Sequence, residues 1–180
     1  MIKAVYAEDG SVVQYFSMFH DISDKKKIEQ QLYQLAHSDL ITQLPNRLSF
    51  HKMLESALER AKLDETRLAV MFIDLDHFKL INDTSGHPVG DELLAQVAVR
   101  LQKSIGSANT ISRFGGDEFT VLMPCIESVY EVSEAAQGML EALSKPFQLS
   151  SCELTISASI GIGLFPDNGL TVSSLLSRAD

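Results

Sequence analysis

The sequence predicts an α/β fold: a central β-sheet of mixed strand direction with helices flanking it. Three observations predict it. Leu68 to Ile73 (LAVMFI) is an apolar run without alternation, as in a strand covered on both faces. Helix-type and strand-type patterns interleave along the chain, which favours helices layered on a sheet. Two strand-like segments meet at Gly115-Gly116, so at least one pair of neighbours runs antiparallel.

In chain order, Ala4 to His20 holds two β-type runs around Asp9-Gly10, a dipeptide suited to tight hairpin turns. With HDISDKK after it, this segment resembles the closing strands of a PAS sensor domain, and residues 1–22 are read as the end of one. Residues 23–38 form a helical linker in which Ile28, Leu32 and Leu35 make a narrow apolar stripe on a polar helix. That stripe fits either a dimerising stalk or a short helix packed on its own domain. A second helix carries Leu48, Met53, Leu54, Ala57, Leu58 and Ala61 on a broad apolar face. The LAVMFI strand follows and should be central. Next come a helix around Phe78 to Asn82, a turn at Ser85-Gly86, and a long helix from about Pro88 to Ser104, Pro88 suiting a first helical turn. Thr110 to Met123 supplies the two strands around the glycines, and Ser128 to Leu143 another helix. Leu154 to Phe165, rich in β-branched residues, reads as a further central strand, and Thr171 to Arg178 opens a last helix.

A chain of 180 residues holds one full domain and a short appendage. The net charge of -9 works against a broad phosphate-binding surface, so nucleic acid is excluded as a partner. A small anionic ligand fits if a divalent cation stands between its phosphates and the protein's carboxylates. No run approaches the roughly 18 apolar residues of a membrane span, and no basic region precedes an apolar block at the N-terminus. The fragment reads as cytoplasmic, with membrane anchoring of a longer parent chain left open. Cys125 and Cys152 lack metal-ligand spacing and read as ordinary small apolar residues.

Two acidic positions carry chemistry. Asp74 and Asp76 end the buried strand, where open sheets place their ligand crevices, although an acid there can also cap the next helix. Asp117 and Glu118 follow Gly115 and Gly116 at a hairpin tip, where glycines let backbone approach a ligand closely. If the hairpin lies beside the LAVMFI strand, Asp74 and Asp117 converge on a hard cation such as Mg²⁺ or Mn²⁺.

The strings RFGGDEF (Arg113 to Phe119) and FIDLDHFKLINDTSGHPVGDELL upstream closely resemble the GGDEF domain of diguanylate cyclases, which condense two GTP into cyclic di-GMP. The likeness runs from about Asp39 to Asp180 and implies the palm-like fold of nucleotidyl cyclases. It implies that Asp74, Asp117 and the Leu75 carbonyl hold the metal, with Glu118 beside the metals and the reacting hydroxyl. His77 and Phe78 amides and the Lys79 ammonium would hold the β- and γ-phosphates, and Asn82 and Asp91 would read guanine. Arg113 would position the hairpin or reach the partner subunit's nucleotide. Each subunit would hold one GTP, so catalysis implies a homodimer, with a PAS sensor upstream and a phosphodiesterase-type domain possible downstream.

Three departures from the family stand out. Gln43 occupies a usual glycine position in DLITQLPNR. Gly106 and Asn109 replace the Arg and Asp of the RxxD inhibitory product site. The family's helix with further phosphate-binding Lys and Arg residues would begin after Asp180, which bears on whether the fragment turns over. Two other readings compete: a non-catalytic GTP-binding regulatory module, and a cyclase making a monocyclic product.

Overall fold

The computed structural model describes residues 2–17 and 23–179. The run His20-Asp21-Ile22, part of the PAS resemblance, lies outside them. The chain divides into two compact units, 1–34 and 35–180.

In the first unit, β1 (Ile2–Tyr6) pairs antiparallel with β2 (Val12–Ser17), the hairpin expected around Asp9-Gly10. Gly10 takes φ 84°, and the Asp9 carboxylate accepts bonds from the Ser11 amide (2.9 Å) and hydroxyl (2.7 Å). Helix α1 (Ser23–His37) follows, its last three residues belonging to the second unit; its Ile28, Leu32 and Leu35 are 56%, 60% and 57% exposed.

The second unit is built on a four-stranded sheet in the order β4-β5-β3-β8. β3 (Arg67–Leu75) is central, as expected, and its Leu68 to Ile73 are all buried. Its neighbours are β5 (Glu118–Ile126) and β8 (Ala158–Phe165), while β4 (Thr110–Gly115) pairs with β5. The α/β class with flanking helices stands. All three pairings of this sheet are antiparallel, where a mixed sheet was expected.

One face of β3, with Ala69, Met71, Ile73 and Leu75, packs in a core with α4 (His87–Ser104) and α5 (Val129–Leu143). The other face, with Leu68, Val70 and Phe72, packs with α2 (Arg47–Leu63) and α6 (Val172–Ala179). On α2 the buried residues are Phe50, Leu54, Leu58 and Ala61; Leu48, expected on this face, is 50% exposed. Leu48 lies in the first turn, so the buried stripe starts two residues later at Phe50. Asn46 caps α2 by accepting from the Ser49 amide (3.1 Å), and Ser128 caps α5 by accepting from the Glu131 amide (3.2 Å).

The expected central strand over Leu154 to Phe165 is two pieces. β7 (Glu153–Leu154) pairs with β6 (Phe147–Gln148), and β8 is an edge of the main sheet. Glycines explain the apolar look of β8. A Cβ at Gly161 would stand 1.8 Å from the Ala179 carbonyl oxygen, and one at Gly163 2.7 Å from that of Leu175. Helix α6 therefore rests its backbone on the strand's backbone. Cys125 and Cys152, read as small apolar residues, are both exposed.

Those glycines make a test of the packing. Gly161→Ala must move α6 and is expected to cost about 1–3 kcal/mol in thermal unfolding. Gly138→Ala on α5, where an added Cβ meets nothing within 4 Å, should be neutral or stabilising. Equal effects from the two would contradict this account.

Candidate active site at the sheet end

The site begins with register. Asp74, the exposed residue near the end of the buried β3, lies directly opposite Glu118 on β5 and opposite Ser159 on β8. Residues opposed across antiparallel strands share a face with Cα atoms roughly 5 Å apart. Like charges so opposed repel, and a cation between them removes the cost. Asp117 immediately precedes Glu118 in the turn and is half-buried. Asp74, Leu75, Asp117 and Glu118, all expected at the site, therefore meet at one end of the sheet.

The glycine turn is held from behind. Gly116 takes φ 52°, a left-handed conformation that favours glycine. Its carbonyl accepts from Arg113 Nε (3.0 Å) and Nη2 (2.7 Å). The same guanidinium, 9% exposed, donates through Nη1 to both Asp39 oxygens at 2.9 and 3.0 Å. Arg113 therefore ties the hairpin turn to Asp39, its guanidinium turned inward onto these two partners. Phe114 anchors the next residue, edge-on to Phe50 (6.2 Å) and Phe72 (5.1 Å), with the Arg47 guanidinium 4.5 Å over its ring.

Beyond β3 the chain turns sharply. His77 takes φ 61°, and α3 (Phe78–Ser85) starts behind it with no side-chain cap on its first amides. Amides so left are ready for an anion. Asp76 does not cap this helix. Its backbone N–H donates to the Ser157 carbonyl (2.9 Å), and its carboxylate accepts from the Ser157 (2.6 Å) and Ser159 (3.0 Å) hydroxyls. The Ser157 bond leads in holding the Asp76 carboxyl below its ordinary pKa; slight burial opposes it, while Ser159 and the nearby His77 reinforce it. Lys79 is exposed on the first turn of α3.

Asn82 lies on α3 and Asp91 on α4, brought together because Gly86 (φ 87°) reverses the chain between the helices. Asp91 is the fifth residue of α4, past the first turn, where a favourable dipole contact was the alternative reading. The Asn82 side chain packs against Gly90, next to Asp91.

Residues 36–180 match the family described as "Diguanylate cyclase, GGDEF domain". The chain belongs to this family. The GGDEF domain is 42% identical over 154 residues to the bifunctional diguanylate cyclase/cyclic di-GMP phosphodiesterase MucR of Pseudomonas aeruginosa, covering 86% of this chain and 22% of that protein. It is 38% identical over 146 residues to the diguanylate cyclase TpbB of the same species, covering 81% and 34%. The solved GGDEF domain of TpbB superimposes with a TM-score of 0.78 at 38% identity, over 80% of this chain and 84% of that one. A sensory box/GGDEF family protein from Caulobacter crescentus gives 0.75 at 38%, over 80% and 93%. The chain thus spans from about a fifth to a third of the length of these curated relatives.

The donor set of the GGDEF site suits a hard cation. Among the described residues no three His, Cys, Asp or Glu side chains form a ready cage. Two aspartates and a carbonyl are instead what Mg²⁺ uses when waters and substrate phosphates complete its shell. Among the described residues no helix is long and apolar enough to cross a membrane.

Three supporting residues escaped the sequence reading: Asp39, Ser157 and Ser159. Ser157 and Ser159 lie more than 80 positions from Asp76 and carry no local signal. Asp39 did have one. It is the first residue of a turn in which its carboxylate accepts from the Thr42 amide (2.8 Å) and hydroxyl (2.7 Å).

Burial works to raise the Asp39 pKa, but the Thr42 amide, the Thr42 hydroxyl and Arg113 together hold it below the ordinary value. A depressed folded-state value means stability present above the unfolded pKa of about 3.9 and lost as pH falls through the folded one. Asp39→Asn should therefore unfold about 1–2 kcal/mol more easily at neutral pH. The gap should close in acid, below pH ~4. A gap independent of pH would show that the Asp39 charge is not what holds Arg113.

Proposed function

We propose that this GGDEF domain condenses two GTP into cyclic di-GMP and two pyrophosphates, working as half of a homodimer. The observation that carries the reading is the pairing of Asp74 with Glu118 across β3 and β5, with Asp117 in the glycine turn beside them. Asp74, Asp117 and the Leu75 carbonyl would hold Mg²⁺ or Mn²⁺. Bound there, the metal would polarise the α-phosphate and lower the pKa of the attacking 3′-hydroxyl. In each of the two condensations a 3′-oxygen bonds to the α-phosphorus of the other nucleotide, and the bond to pyrophosphate breaks. Glu118 stands beside the hydroxyl that loses its proton.

The remaining residues bind and orient. The His77 and Phe78 amides and Lys79, at the uncapped start of α3, take the β- and γ-phosphates. Gly115 and Gly116, both exposed, let the backbone approach the nucleotide closely. The Asp91 carboxylate accepts the N1 and N2 protons of guanine and the Asn82 amide adds a polar contact; adenine offers no such donor pair. Two nucleotides must face each other, so two domains are needed, and the exposed Ile28, Leu32 and Leu35 of α1 support a dimerising stalk. The β1–β2 hairpin supports a PAS-like sensor ahead of it, in a cytoplasmic signalling protein, and the bifunctional name of MucR supports a phosphodiesterase-type domain elsewhere in the parent.

One observation favours a second reading, a GTP-binding module without turnover. A relative 38% identical over 148 residues, of which this chain spans 19%, is named cyclic di-GMP phosphodiesterase NbdA. Incubation of the full-length protein with GTP and Mg²⁺ followed by mass identification separates the readings. Cyclic di-GMP supports the cyclase, bound but unchanged GTP the module, and cyclic GMP a monocyclic cyclase. Asp117→Asn should lower cyclic di-GMP synthesis by on the order of 100-fold or more with the circular dichroism spectrum intact. Undiminished synthesis would sink the metal assignment.

The turn where the Asn109 amide donates to the Gly106 carbonyl (3.0 Å) presents neither the guanidinium nor the carboxylate of an RxxD site. Turnover should accordingly hold steady as cyclic di-GMP is titrated to low-micromolar levels. A sharp fall would reveal another inhibitory product site.

A further inference from the structure

We propose that Gly90 is a specificity-determining residue: its missing side chain leaves the space that seats the Asn82 amide beside Asp91. This rests on the reading of Asn82 and Asp91 as the guanine contacts. Gly90 is buried in the first turn of α4. It does not have a positive φ, so backbone conformation does not call for glycine. Helix propensity alone would favour alanine there. What excludes alanine is space. A Cβ at position 90 would stand 2.0 Å from Asn82 Oδ1 and 3.0 Å from its Cγ, with Phe78 Cζ at 3.2 Å.

The kind of atom met decides the consequence. At Gly161 the clash is with a helix carbonyl, and a whole element must move. At Gly90 it is with the far end of one side chain, which can swing aside while the Phe78 ring yields a few tenths of an ångström. A methyl group therefore evicts the amide and spares the helix packing. The amide is also available to a ligand. It is half-buried, and its side-chain oxygen and nitrogen bond to no described residue, while the Asn82 backbone carbonyl is taken by the Gly86 amide (2.9 Å).

The test uses isothermal titration with Mg²⁺ and GTP bearing a methylene bridge between the α- and β-phosphorus, which cannot release pyrophosphate, beside the matching adenine analogue. Gly90→Ala should weaken the guanine analogue roughly five- to tenfold, the size of one lost hydrogen bond. The adenine analogue, held by the same phosphates, should change less than twofold, and the unfolding midpoint should not fall. In an Asn82→Ala background the further effect of Gly90→Ala should be below twofold, because the amide is already gone. Equal weakening of both analogues, full additivity in the double variant, or a Gly90→Ala protein that fails to fold would each overturn the proposal. If Asn82→Ala itself leaves guanine binding unchanged, the base-contact reading fails and this inference with it. If Asn82→Ala weakens binding and Gly90→Ala does not, the inference alone fails.

Discussion

The Arg113 guanidinium joins two parts of the domain that the chain separates by 74 residues. On one side it closes on Asp39, on the other on the Gly116 carbonyl. A buried cation without partners is costly, so both contacts are obligatory once Arg113 is enclosed. The glycine turn, which as a hairpin tip would ordinarily be loose, is thereby fixed on its carbonyl side, and its other side is left free to meet a ligand. The Asp39 turn is fastened in its turn. The Asn46 side chain donates to the Ala36 carbonyl (2.9 Å) and the Ser49 hydroxyl to that of His37 (2.7 Å), so the last carbonyls of α1 are satisfied by the cap of α2. One hydrogen-bond network thus runs from the end of α1 to the glycine turn. Gln43 sits within it at φ 59°, where a glycine would be unstrained; its backbone N–H bonds Asp39 (2.9 Å) and its side-chain amide the Leu40 carbonyl (2.7 Å), which offset that strain.

With the turn fixed, the strands do the rest. Antiparallel pairing puts Glu118 opposite Asp74 with no choice of side, because a slip of one residue would turn Phe119 out of the core and Glu118 into it. The acids are close because the sheet is well packed. The left-handed His77 then redirects the chain three residues after Asp74. Such a residue persists only where its surroundings over-determine it. Asp76, bonded through backbone and carboxylate to Ser157 and Ser159, is that constraint.

What was legible in the sequence is what local chemistry encodes. The LAVMFI run announced a strand buried on both faces, Ser128 and Pro88 marked helix starts, and the paired glycines marked a turn. Asp74 could be singled out because an acid closing an apolar run has few reasons to be there. Strand order was not legible. Leu154 to Phe165 has the composition of a central strand, and only α6 lying on Gly161 and Gly163 shows that an edge strand can need small, apolar residues. The same holds for Asp39, whose turn is local while its partner is not, and for Leu48 and Phe50, which periodicity alone could not rank.

Three glycines of the domain show why residue type alone could not finish the reading. Gly116 is needed for its positive φ, Gly161 because a helix backbone lies on it, and Gly90 because a side-chain amide does. The sequence writes all three with one letter. They differ in what a methyl group would displace: the path of the chain, a packed element, or a single polar group. Only in the last case can the fold survive while recognition changes. The Asn82 end of the site is therefore open to change at a glycine without loss of structure, whereas the glycines at Gly116 and Gly161 are bound to the path and packing of the chain.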